Sequence, residues 1–336
     1  MGIAGILGLD IGGANLKAAT PDGRAVSVPF PLWKQPDRLP AALAELVARF
    51  PDAAELAVTM TGELCDCFET KRQGVNAILD ATEHAAAGRS VRVWGTDGTL
   101  HTVAEGRANY RWVAAANWHA LATFAGRFAP HYGGILVDIG STTSDLIPLN
   151  TGVPYTYGLT DNARLQTQEL VYAGVRRTPV FALTTDRVCA ELFATTADVY
   201  VVLGLLPEDV NNTDTANGRP MTVENALARL ARVFGGDRED MSDDSLIHFA
   251  TRVHSRLRER LVESARAVYY DRRDAEELRN IIVSGEGEFL ARQVVEEAFG
   301  GAPVNRIVSL NDELGTAVSA CAPAYAVAVL AAEALA

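Results

Sequence analysis

Two short stretches of this chain place acids, glycines and small hydroxyl side chains in an order suited to holding phosphate. Residues 135–149, ILVDIGSTTSDLIPL, run through Asp138 into Gly140, Ser141, Thr142 and Thr143 and out into a second apolar run. The pattern predicts a buried strand, a tight turn and a returning strand. Small residues in such a turn let N–H groups and hydroxyls converge on an oxyanion at close backbone approach. Asp138 would itself repel phosphate. Its expected role is to hold Mg2+ through water, because Mg2+ keeps several waters and links carboxylates to phosphate oxygens. Residues 7–19, LGLDIGGANLKAA, repeat the device, with Asp10 ahead of Gly12, Gly13, Ala14 and Asn15. One Asp-Ile-Gly is weak evidence; two in matching contexts point to two related halves, each giving a loop to a polyphosphate in a shared cleft.

Lysine usage singles out further candidates. Of 30 basic residues only Lys17, Lys34 and Lys71 are lysines. A compact ammonium meets a phosphate oxygen as a point charge where a guanidinium fork does not fit. Lys17 lies just past the first loop, and Lys71 lies in a polar stretch, 62–74 (GELCDCFETKRQG), that follows an apolar run at 57–61. Exposed surface cations are the alternative reading for both. Polar residues just past a strand's C-terminal end are where α/β folds place ligand contacts, which makes Glu63, Asp66, Lys71 and Arg72 candidates. Residues 156–180 are either a solvated helix with its turn or a substrate wall carrying Asp161, Arg164 and Gln168. Asn117 is a candidate at the cleft side of a helix, whereas His119, beside Trp118 on an Ala-rich segment, reads as packed. After the apolar run 280–283 come Ser284, Gly285, Glu286 and Gly287 and then a helix. This third glycine-rich loop is where the adenosine of a nucleotide would sit, with Gly285, Glu286 and Gly287 as its contacts.

These residues need a frame. At 336 residues the chain exceeds one ordinary core, so two domains are expected. With 48% hydrophobic and 21% charged residues it is an ordinary globular composition, and a net charge of −12 argues against nucleic acid as partner. The partner expected is a small diphosphate or nucleotide. Cys65 and Cys67 form a C-x-C pair with no second pair to complete a zinc set, and the four cysteines are too few and scattered for a disulfide framework. The apolar run 3–9 lacks a basic flank and is too short for a signal peptide. The run 322–336 falls short of the ~20 residues that span a bilayer and contains Glu333. A packed terminal helix in a cytoplasmic protein is the expectation, with no membrane partner.

Periodicity supplies the elements. Residues 3–32 predict three strands, and Leu39, Leu43, Leu46, Val47 and Phe50 are spaced as a helix over 36–50. A strand at 57–61, a helix ending near His84, strands at 91–94 and 101–103 and a helix over 114–128 follow. A hinge is expected at 129–134. Beyond it come the second hairpin, an irregular stretch at 207–220, helices over 223–234 and 245–270, and a final buried strand at 280–283 leading to a helix at 288–299. The expected division is 1–132 and 133–317, with 318–336 packing back on the first domain.

Taken together the motifs resemble the actin, sugar kinase and Hsp70 ATPase superfamily. LGLDIGGANLKAA is similar to its first phosphate loop, ILVDIGSTTSDLIPL to its second and IIVSGEGEF to its adenosine loop. Within that superfamily DIGSTTSDL is most similar to the hydantoinase/oxoprolinase A family. The stretches at 58–75, 114–118 and 157–180 resemble its short members linked to tetrahydromethanopterin C1 transfer, a group that includes a methanofuran-biosynthesis condensing enzyme. The resemblance covers most of the chain. It implies an α/β fold of two ribonuclease-H-like domains around a phosphate-binding cleft. It also implies a transferase that joins an aminomethylfuran-methyl diphosphate to the phenol of γ-glutamyltyramine and releases diphosphate. In that reading Asp10 and Asp138 organise Mg2+, the two loops cradle diphosphate and Lys17 neutralises it. Glu63 or Asp66 takes the phenol proton, and Lys71 and Arg72 are available to a glutamyl carboxylate. An ATP-dependent kinase or hydrolase, with ATP in the cleft, is the main alternative, and a nucleotide-gated binding protein is a third.

Overall fold

Antiparallel pairing of the first three strands builds one side of a sheet, and parallel strands complete it. In a computed structural model that describes residues 5–270 and 277–336, β1 (Ile6–Ile11), β2 (Asn15–Ala19) and β3 (Ala25–Pro29) form a meander. Ile3, at the start of the first apolar run, lies outside the described residues. β4 (Glu55–Met60) and β5 (Ser90–Trp94) add in parallel on the far side of β1, and β6 (Leu100–Thr102) closes the edge antiparallel. The order is β3-β2-β1-β4-β5-β6.

The second sheet repeats this plan. β7 (Gly133–Ile139) and β8 (Ser144–Asn150) form a hairpin extended by β9 (Val153–Pro154) and β10 (Leu170–Val171). β11 (Leu278–Ser284) and β12 (Arg306–Ser309) add in parallel beyond β7, giving β10-β8-β7-β11-β12. A hairpin plus parallel strands on the far side of its first strand, occurring twice, makes two ribonuclease-H-like halves in which β1 corresponds to β7 and β4 to β11.

Alternation along β7 shows how the core is divided. Ile135, Val137 and Ile139 pack with the long helix Asp243–Tyr270 and the helix Glu288–Phe299, while Leu136 faces a separate cluster. That second cluster joins Ala57 and Trp94 of the first sheet to Ile147, Ile282 and Val308 of the second, through the helices Asn117–Ala125 and Ala322–Leu335. The last helix crosses β1 so closely that a Cβ on Gly8 would lie 1.9 Å from the Ala324 carbonyl oxygen. No helix among the described residues is long and apolar enough to cross a membrane.

Several expected elements differ. The helix over 114–128 starts at Asn117, because Ala115 has φ +48°, and ends in a 3-10 turn at Gly126–Phe128. Residues 156–180 hold one short helix, Asp161–Gln166, capped by Thr160, and the brief strand β10. The strand at 280–283 is longer than expected and is followed by β12, whose exposed Arg306 and Ile307 hide its pattern. The helix Thr196–Val202, with Thr195 and Asp198 in a capping box, was not anticipated.

Candidate active site

The two glycine-rich hairpins close in the same way. The Gly12 N–H donates to the Asn15 carbonyl at 3.0 Å and the Gly140 N–H to the Thr143 carbonyl at 2.8 Å. Their carbonyls are taken up from behind. Gly13 and Ala14 accept from Leu32 and Phe30, Gly140 accepts from Val175, and Ser141 accepts from both Arg176 and Arg177. The N–H groups of Gly13, Ala14, Ser141 and Thr142 donate to no backbone carbonyl among the described residues. Two sets of forward N–H groups, each backed by a fixed loop, are what an oxyanion needs. The second loop is braced further by Gly174, where a Cβ would fall 2.4 Å from the Gly140 oxygen.

Register places the acids. Asp10 on β1 lies opposite Lys17 on β2 and beside Thr59 on β4; Asp138 on β7 lies opposite Asp145 on β8 and beside Ser284 on β11. The halves thus present the same acid and hydroxyl but differ at the third position, lysine in one and aspartate in the other. Asp10 is buried, and neither its Oδ1 nor the Thr59 hydroxyl has a hydrogen-bond partner among the described residues. Burial pushes the Asp10 carboxyl above its ordinary value against the pull of Lys17. Asp138 is pushed up to about 6, first by burial and then by the charge of Asp145, with Lys17 lowering it and Asp10 raising it. Asp10, Lys17 and Asp138 therefore share one electrostatic site although they come from different halves. Among the described residues no group of three or more His, Cys, Asp or Glu converges. The site offers two carboxyls, one from each half.

A second cluster crosses the cleft. Glu63, in the turn Gly62–Leu64 after β4, is 1% exposed, and neither carboxylate oxygen has a hydrogen-bond partner among the described residues. Burial pushes it up to about 7 against the pull of Lys71, whose Nζ lies 3.8 Å from Glu63 Oε1. The same Nζ lies 2.8 Å from Asp161 Oδ2 in the second half. Tyr172, which the sequence reading did not single out, is raised by burial first, then by the charges of Asp161, Cys65 and Glu63.

The helix Asp161–Gln166 makes a second link. Arg164 is 1% exposed, stacks at 3.9 Å over the Trp118 ring of the first half and reaches Asp145 at 2.8 Å and the Glu169 carbonyl at 3.1 Å. Arg164 is thus a buried brace behind Asp138 and not an exposed substrate contact. Gln168 also departs from the expected wall: it is exposed, and its Oε1 accepts from Ser264 on the long helix. Arg72 lies over the Tyr110 ring at 4.3 Å, within the first half. Asp66 is exposed in the loop beyond Glu63, and Asn117 is half-buried at the first turn of its helix. Gly285 and Gly287 press on β7: a Cβ on Gly285 would lie 2.7 Å from Asp138 Oδ1, and one on Gly287 2.5 Å from Ile139 Cγ2. Glu286 pairs with the Arg176 guanidinium. Asp145 and Tyr172 are the residues the sequence reading missed. A second acid within TTSDL was the available signal for Asp145, and Tyr172 had none.

Two ribonuclease-H-like halves meeting at paired phosphate-type hairpins define the actin and sugar kinase class of fold. The chain belongs to the hydantoinase/oxoprolinase family, whose model matches residues 55–334. It is 35% identical over 337 residues, 97% of each chain, to the (4-{4-[2-(gamma-L-glutamylamino)ethyl]phenoxymethyl}furan-2-yl)methanamine synthase of Methanocaldococcus jannaschii. It is 32% identical to the enzyme of the same name from Methanococcus vannielii over 204 residues, 58% of this chain and 89% of that one. The nucleotide-free structure of acetone carboxylase shares the fold at a TM-score of 0.56 and 11% identity, covering 97% of this chain and 70% of that one. The near full-length relationship to a synthase makes the chain an enzyme.

Proposed function

We propose that the chain forms the ether between an aminomethylfuran-methyl diphosphate and the phenol of a tyramine-type acceptor such as γ-glutamyltyramine, releasing diphosphate, as a step in building a methanofuran-type C1 carrier. The observation that carries this reading is the relationship over 97% of both chains to a synthase whose named product is a phenoxymethyl-furan. Such a product requires a phenol oxygen on a furan-bound CH2. The cleft has the parts for that displacement: two hairpins for a departing diphosphate and a buried acid for a proton.

In the step, the bond from the furfuryl carbon to the diphosphate oxygen breaks while the phenol oxygen bonds to that carbon. The phenol proton passes to Glu63, whose pKa of about 7 suits a base working near neutrality. Lys71, between Glu63 and Asp161, keeps part of the Glu63 population ionised. The N–H groups of Gly13, Ala14, Ser141 and Thr142, which no backbone carbonyl among the described residues takes up, and the ammonium of Lys17 meet the charge that grows on the leaving group, where fixed donors act most strongly. Asp10 and Asp138 would hold Mg2+; the unpartnered Asp10 Oδ1 and Thr59 hydroxyl and the mutual repulsion of the two acids suit a cation. When bound, Mg2+ supplies neutralisation of diphosphate charge.

The rival reading, an ATP-dependent kinase or hydrolase, rests on the Gly285 and Gly287 loop at the end of β11. Against it, both glycines are accounted for by packing on β7, and Glu286 is held by Arg176. Thermal unfolding with Mg2+ plus diphosphate and with Mg2+ plus ATP, followed by mass analysis of the furan and phenol reactants incubated with enzyme, separates the two. We expect stabilisation by diphosphate, about 2.7 kcal/mol at a hundredfold excess over Kd, and an ether product without ATP. Stabilisation by ATP alone and no ether would overturn the proposal.

A further inference from the structure

Tyr172 is 55% exposed, yet its backbone is fixed on both sides. Before it, Val171 pairs with Ser144 of β8. After it, the Ala173 carbonyl accepts from the Ser144 hydroxyl at 2.8 Å, and Gly174 is pressed onto the second phosphate hairpin. A residue anchored so firmly to that hairpin has little freedom to relocate. Its hydroxyl feels the charges of Asp161 of its own half and of Cys65, Glu63 and Lys71 of the other, and Lys71 itself bridges Glu63 and Asp161 across the halves. Its hydroxyl makes no hydrogen bond, and its ring pairs with no other aromatic ring, among the described residues. Burial and the acids around it keep the hydroxyl protonated, which removes it as a base. What remains is an exposed aromatic face anchored beside the second hairpin.

We infer that Tyr172 is the wall on which the ring of the aromatic acceptor lies, a specificity-determining residue that sets the phenol between Glu63 and the furfuryl carbon. The inference rests on the proposed condensation for the identity of the acceptor. An aryl ring beside a tyrosine gains by offset or edge-to-face stacking, and the gain requires the ring of Tyr172 but not its hydroxyl. The assignment also accounts for an exposed tyrosine in an otherwise charged cluster.

The test uses tyramine as the probe, with the enzyme saturated in Mg2+ and diphosphate, and compares wild type with Tyr172→Phe, Tyr172→Leu and Tyr172→Ala. Calorimetric binding should weaken about tenfold in Tyr172→Ala and Tyr172→Leu and stay within about threefold in Tyr172→Phe. Stabilisation by diphosphate should be unchanged in all, which shows that the hairpins are intact. In turnover, the acceptor KM should rise in Tyr172→Ala with a smaller change in kcat, and the pH profile should keep its midpoint. Unchanged tyramine affinity in Tyr172→Ala and Tyr172→Leu overturns the inference even if condensation is observed. Tyramine binding that needs the Tyr172 ring, with no ether formed, upholds the wall and overturns the condensation. Failure of wild type to bind tyramine overturns both.

Discussion

A carboxyl group shut away from water holds its proton more tightly than a free one, and Glu63 is in that position beside a lysine it shares with Asp161. Glu63→Gln should lower kcat by about 100-fold or more, and the rising limb of the pH-rate profile near pH 7 should disappear, while diphosphate still stabilises the protein. Stopped assays from pH 5.5 to 9 check this; a limb that persists assigns the base elsewhere. Asp138→Asn should abolish stabilisation by Mg2+ plus diphosphate without loss of fold, since it removes a carboxyl already repelled by Asp145 and Asp10. Arg164→Met leaves Asp145 buried without its partner and should destabilise by about 3–5 kcal/mol, measured by urea unfolding. The aspartates were readable in the sequence because strand, acid and glycine follow each other directly. The work of Arg164 was not, because its partners Trp118 and Asp145 lie on other elements and only the fold reveals that it is covered.

The hairpins depend on what stands behind them. Gly174→Ala drives a methyl into the Gly140–Thr142 backbone, and Gly8→Ala drives one into the last helix at Ala324. Each should cost about 1–3 kcal/mol or more as overpacking, but only Gly174→Ala should also weaken diphosphate binding. Thermal shifts with and without diphosphate tell the two apart; equal loss of binding in both would contradict the separate roles. Strands with a continuous apolar run, such as β1, β4 and β7, were plain from sequence. β10 and β12 were not, since two residues with no alternation and a strand half exposed carry no period. The short helix Asp161–Gln166 was obscured for a related reason: Thr160 caps it, but a segment this brief has no repeat to read.

Considered together, the buried acids make the fold a poor host for its own charge. Glu63 and Asp138 are raised from ordinary values of 4.5 and 3.8 to about 7 and about 6. A group raised in the folded state gives stability that is present below its unfolded value and is lost as pH rises through the folded one. Between about pH 4 and 7 these two acids therefore favour folding at the acid end. His119, pushed down to about 4 by burial, acts in the opposite sense below its ordinary value of 6.5. Comparing the melting temperatures of wild type and Glu63→Gln from pH 5 to 8 isolates the acid: the mutant's advantage should grow with pH, and a constant difference would contradict it. The two-halved plan was visible in the repeated Asp-Ile-Gly hairpin. The core shared between the halves was not, because Leu136, Ile147 and Ile282 differ from their strand neighbours only in the face they present.

The last helix carries a consequence for how the chain is made. β1 leaves the ribosome well before the helix Ala322–Leu335, yet that helix is the surface that covers its Gly8. At about 5–20 residues per second, β1 waits on the order of tens of seconds for its cover. The first half is thus completed only after the second has been translated, through contacts of very high sequence separation, which are slow to close. Until then its apolar face is open to chaperones, and any ribosome stall before residue 322 leaves a nascent chain with an unshielded sheet.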